Sequence, residues 1–96
     1  MERVGFRAAI DSAVACHPYV VVDLTHAGVI DAFGLGVLVR ARNAARRREG
    51  ELVLAGPSQF LQTVLRTVRL HTAFRTFNTV PQATTAVGGE SPRTER

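Results

Sequence analysis

The residues of this chain that could do chemistry gather in one short stretch, Asp31-Ala32-Phe33-Gly34-Leu35-Gly36, just behind a run of β-branched residues. A carboxylate placed immediately before a helix accepts hydrogen bonds from the free amides of the first turn, so Asp31 reads first as an N-cap. It can be a cap alone, or a cap that also meets a partner. Phe33 has two readings as well: an exposed aromatic anchor at a helix start, or a side chain folded back into the core beneath the turn. Gly34 and Gly36 could open a phosphate-binding loop, but the third glycine of such a loop is Val39 here, so no dinucleotide site is expected.

Elsewhere the chemistry is sparse. His17, His26 and His71 are far apart, and no pattern requires them to meet; His26, in the loop before Asp31, reads as a surface residue or as one wall of a small pocket. Cys16 is the sole cysteine, so it has no disulfide partner and no companion ligands for zinc, and it reads as a small helix-side residue. No carboxylates pair at helical or strand spacing and no nucleophile elbow occurs. We therefore expect no catalytic residues, no metal and no cofactor.

The formal charge of +4 rests on twelve basic residues, all of them Arg. Coding composition produces such a bias, which weakens any case that Arg was selected for bidentate recognition. Arg40, Arg42, Arg46, Arg47 and Arg48 lie within nine positions. On a helix they would spread over the side away from its apolar stripe, and cations near a helix C-terminus are favoured by the dipole. Nucleic-acid recognition needs base-reading groups beside the cations, and this segment offers only Asn43. A solvated face is expected, with nucleic acid the weakest of the partner readings.

These residues must be positioned by elements that the hydrophobic pattern locates. Val4, Phe6, Ile10, Ala13 and Val14 recur at helical spacing over 2–15, and Pro18 ends that helix by disfavouring helical backbone at His17. Tyr19 to Leu24 is a β-branched run suited to a strand buried on both faces. Leu35, Leu38, Ala41 and Ala45 mark a helix over 32–48, which Gly50 is expected to stop in the left-handed conformation. Glu51 to Ala55 is a second strand. Ser58 caps a third helix over 59–70, with Phe60, Leu61, Val64, Leu65 and Val68 on its buried face. Phe74 to Phe77 is a short edge strand, and Pro81 opens a last helix running to Val87. The alternation predicts an α/β domain with a small, mainly parallel sheet under covering helices.

A 96-residue chain with 46% hydrophobic residues supplies one core, and we place the domain at 1–87 with 88–96 as a disordered polar tail. No apolar run approaches the roughly 18 to 20 residues of a membrane span, and acidic residues interrupt the first segment where a secretory signal would be apolar. The expected location is cytoplasmic.

Taken together, the strand VVVDL, the turn Asp31-x-x-Gly34-Leu35-Gly36, the strand end LVLAGPS and the helix exit LRTVRLHTAF resemble a STAS domain of the anti-sigma factor antagonist family. The resemblance runs from the first helix to about Val87. It implies a single STAS-like fold and a module that binds a kinase-type anti-sigma factor or a related regulator, with Asp31, Ala32, Phe33, Gly34 and Leu35 as the partner-binding residues. In that family a Ser or Thr between the Asp and the Gly accepts phosphate; Ala32 and Phe33 stand there in this chain, so no phospho-acceptor is expected. The family also begins with two strands ahead of the first helix. This sequence starts at the first helix, so either the start lies upstream or the domain is shortened with an uncovered sheet edge, through which a homodimer is then expected. A ligand-sensing or scaffold STAS subunit of a signalling or transporter-associated complex is the alternative function.

Overall fold

Pro18 separates a helix from a strand because its ring excludes helical backbone in the residue before it. In the computed structural model, which describes residues 3–90, α1 spans Arg3–Cys16 and β1 follows at Tyr19–Asp23. Next come α2 (Ala32–Arg47), β2 (Glu51–Ala55), α3 (Gln59–Thr67), β3 (Thr76–Phe77) and α4 (Val80–Glu90). The strands lie in the order β1-β2-β3. Tyr19 pairs with Glu51 through to Asp23 with Ala55, and Leu54 pairs with Thr76; both pairings are parallel. The sheet is thus parallel throughout, and among the described residues no strand precedes α1.

The period of two along a strand divides the interior in two layers. Val20, Val22, Leu52 and Leu54 face α1, α2 and α3, meeting Ile10, Val14, Val37, Leu38, Leu61 and Leu65. Val53 and Ala55 face the other way, onto Ala83 and Val87 of α4, with Tyr19, Val21 and Phe77 packed around them. β2, with neighbours on both sides and helices on both faces, is buried from Leu52 to Ala55. β1, at the edge, buries only Val20 and Val22 completely.

Several expectations need correction. In α2 the expected Leu38, Ala41 and Ala45 are buried and Gly34 and Val37 join them, while Leu35 is only half-buried, so the stripe centres slightly to one side of the expected line. α3 stops at Thr67, where Val68 and Arg69 turn out of the helix with Arg69 at φ 64°, so residues 68–70 are not helical. Its buried row is Leu61 and Leu65, while Phe60 and Val68 stand in solvent. Phe74 lies outside the last strand but is a core residue, 2% exposed. Helix α4 starts at Val80, where Thr79 accepts through Oγ1 from Gln82 N at 3.2 Å. It runs past Val87 to Glu90, so the start of the expected tail is helical and residues 91–96 lie outside the described residues.

Gly50 is needed, but for another reason than the one expected. The left-handed residue after α2 is Glu49, at φ 62°. Gly50 instead lies against the connection just before β1: a β-carbon there would stand 1.7 Å from the Pro18 carbonyl oxygen, the group that accepts from Glu51 N at 2.8 Å to start the β1–β2 ladder.

Candidate functional site

The connection from β1 to α2 is built by backbone hydrogen bonds and one small core residue. Leu24 N donates to Ala55 O at 2.8 Å, extending the ladder by a residue, and Ala27 N donates to Leu24 O at 3.1 Å. Ala27 is buried, and Gly28 at φ 72° then takes the left-handed turn that a side chain would resist. Asp23, the last residue of β1, accepts from Thr25 N at 3.0 Å. The Thr25 hydroxyl and then its amide hold the Asp23 carboxyl below the usual Asp range, with His26 adding to the effect.

The chain next reaches Val29, 78% exposed, and Ile30, packed against the core. Asp31 has extended backbone (φ −89°, ψ −176°). Its Oδ1 accepts from Gly34 N at 2.9 Å and its carbonyl from Leu35 N at 2.9 Å, the geometry of an N-cap. Gly34 is buried: a β-carbon would lie 3.1 Å from Ile30 Cγ2 and 3.8 Å from Phe6 Cε2, so the missing side chain lets the first turn of α2 settle on α1. A β-carbon at Gly36 would meet only Arg40 Nη1, at 3.9 Å, so no close backbone approach requires the second glycine.

Phe33 combines its two expected readings. It is half-buried, with part of the ring packed against the main core and the rest open. Ala32 beside it is exposed, and Leu35 is half-buried.

A second helix start adjoins this one. Gly56, at φ 67°, passes so close to the first connection that a β-carbon would fall 2.5 Å from Thr25 Oγ1. Ser58 Oγ then accepts from Leu61 N at 3.1 Å and caps α3. Phe60, in the first turn, is 64% exposed. Parallel strands followed by crossovers on one sheet face place both helix starts at the carboxyl end of the sheet, where open α/β folds present their binding surfaces. Sequence reasoning missed Val29 and Phe60. The rows 61-65 and 60-64-68 of α3 are both apolar, so only packing distinguishes the buried row from the open one.

A model of the STAS domain family matches residues 4–83, most of the chain. The chain belongs to the STAS domain family. In the crystal structure of a candidate anti-sigma factor antagonist from Thermotoga maritima the same fold appears, with a TM-score of 0.78 over 88% of this chain and 74% of that one at 21% identity. No curated protein matches the sequence.

The remaining polar residues of this STAS domain do not converge. His17, His26 and His71 are all exposed and sit in three separate connections, after α1, after β1 and after α3. Cys16 is exposed at the end of α1. Among the described residues no three His, Cys, Asp or Glu side chains are placed to hold a metal ion, and no helix is long and apolar enough to cross a membrane. The Arg cluster, expected as one solvated face, is divided by the fold. Arg42 is half-buried and its Nε donates to Ala73 O at 3.0 Å, tying α2 to the chain before β3. Arg48 reaches across to α1, and Arg40 and Arg47 line the space between the two helices.

Proposed function

We propose that this STAS domain is a non-catalytic protein-binding module that docks a kinase-type anti-sigma factor, or a related regulator, through the start of α2 and without phosphorylation control. The observation that carries the reading is the apolar character of that face. Val29 and the open part of Phe33 stand at a helix start whose capping carboxylate already serves Gly34 N, and exposed Phe60 stands at the start of α3 on the same end of the sheet. A phosphoryl group there would add roughly −1.5 to −2 charges at pH 7, favoured by the helix dipole, and could switch docking off. Ala32 and Phe33 offer no hydroxyl for it, which supports a surface that stays permanently apolar. Large aromatic side chains at such a face are the residues that dominate binding energy.

The test is titration calorimetry of the purified domain against the kinase-fold anti-sigma proteins of its host. Phe33→Ala and Phe60→Ala are each expected to weaken the complex by about 2 kcal/mol, roughly 30-fold. Phe60→Ala should change the melting temperature little, because the side chain is largely exposed; Phe33→Ala should lower it, because part of its ring packs against the core. Unaltered affinity in both variants would remove the helix starts from the interface. A complex formed only with membrane or transporter subunits would support the scaffold reading instead.

A second reading concerns the open edge of β1. Leu24 N and the Pro18 carbonyl both point toward β2, so the alternation along the strand turns the backbone groups of Tyr19, Val21 and Asp23 the other way. Those groups are a template for another strand, and a second copy could supply it across a twofold axis. Sedimentation equilibrium at micromolar concentration is expected to show a dimer. A monomer across the whole concentration range would exclude pairing at this edge.

A further inference from the structure

Helices α1 and α2 pack against each other, and beside their C-terminal halves they leave an open groove of about 310 Å³. Its floor is apolar and shallow, made by Val14 of α1 and by Ala41 and Ala44 of α2. Its rim is cationic. Arg40, Ala44 and Arg47 follow each other at helical spacing on one face of α2, so two guanidinium groups flank one small residue.

Arg48 completes the rim in a different way. Its Nη1 donates to the carbonyls of Val14 at 2.7 Å and Ala15 at 2.5 Å, two of the last acceptors of α1, which a helix end otherwise leaves unsatisfied. Those carbonyls carry the negative end of the α1 dipole and partly offset the Arg48 charge, so the free cationic character of the rim rests on Arg40 and Arg47. Asp11 is the one carboxylate among the described lining residues, and it is engaged by Arg7, whose Nε lies 3.5 Å from its Oδ2. Two guanidinium groups, Arg40 and Arg47, therefore stand beside a carboxylate that already has a cation next to it, while Arg48 is turned to the end of α1.

This combination selects one kind of occupant. A nucleic-acid backbone has no use for an alanine floor and would find no aromatic side chain among the described lining residues on which to stack a base. A peptide with carboxylates along its edge and small or branched apolar side chains on its inner face satisfies both the rim and the floor. We propose that the α1–α2 groove binds an acidic amphipathic segment of a partner protein, its carboxylates on Arg40 and Arg47 and its apolar side chains on Val14, Ala41 and Ala44. The site is separate from the start of α2: Arg47 lies about 22 Å along the helix from Ala32 at 1.5 Å per residue.

The probe is a labelled 16-residue helical peptide of Glu, Leu and Ala with its Leu at helical spacing, followed by fluorescence anisotropy. Arg40→Gln with Arg47→Gln is the informative variant, because both side chains are exposed and its fold can be verified by a circular-dichroism melt. The wild-type domain is expected to bind this peptide, the double variant to bind at least tenfold more weakly, and the same peptide with Lys in place of Glu not to bind. Ala44→Glu, which puts a carboxylate on the floor, should give the same loss by an independent route. The proposal is overturned by equal affinity of wild type and variants, by no binding of the Glu peptide, or by duplex DNA binding more tightly than the peptide with the same dependence on Arg40 and Arg47.

Discussion

Gly50→Ala is expected to lower the stability of this domain by about 3 kcal/mol, the upper part of the range for overpacking, and its melting temperature by roughly 12 to 24 °C for a chain of this size. The argument is steric. A β-carbon at position 50 would lie 1.7 Å from the Pro18 carbonyl oxygen and 2.4 Å from the carbonyl carbon, both backbone atoms that no rotamer change can move. Relief requires the α2–β2 connection to part from the start of β1, which costs the Glu51 N to Pro18 O hydrogen bond that opens the ladder. Gly88→Ala is the matched control. Nothing lies within 4 Å of a β-carbon there and the residue is helical, so the change should be neutral or stabilising by about 0.5 to 1 kcal/mol. Equal thermal melts of the wild type and Gly50→Ala would show that the connection has room to move.

Leu38→Ala is expected to cost about 4 kcal/mol in urea denaturation, near the top of the range for a buried leucine. Leu38 is 0% exposed in the middle of α2, where it fastens the helix that presents Asp31 and Phe33 to the sheet. Leu35→Ala, at a half-buried position three residues earlier, should cost less than half as much. The pair also measures the rotation of the helix. If the stripe were led by Leu35, the two variants would lose similar amounts of stability, and that result would contradict the observed packing.

The order of elements was legible because it rests on local rules. Pro18 had to end a helix, the β-branched run from Tyr19 had to be extended, and Asp31 and Ser58 had to cap. The turn that the family resemblance singled out is where the structure puts it, with Asp31 on Gly34 N. Details that depend on neighbours were not legible. Gly50 looked like a helix stop because glycine suits left-handed backbone, yet Glu49 takes that conformation and Gly50 answers to a carbonyl on another element. Phe60 looked buried because it shares α3 with Leu61 and Leu65, and hydrophobicity alone cannot rank adjacent apolar rows.

The arginines show the same division between local and tertiary information. Their spacing along α2 says only that they ring its outer surface, and no rule of helix periodicity states which of them will meet another element. Tertiary packing gives four of them different environments: Arg42 meets a carbonyl before β3, Arg48 the end of α1, and Arg40 and Arg47 a groove with an apolar floor.

The sequence by itself determined the alternating α/β order, the capped turn at Asp31 and the absence of a hydroxyl at Ala32 and Phe33, since each follows from residue type and from spacing within a few positions. Only the tertiary structure decided that Val29, Phe33 and Phe60 share one end of the sheet, and that three arginines share one groove. Both depend on how elements far apart in the chain are placed against one another. They come into being when parallel strands align their connections and when helices settle face against face, so no local pattern can contain them.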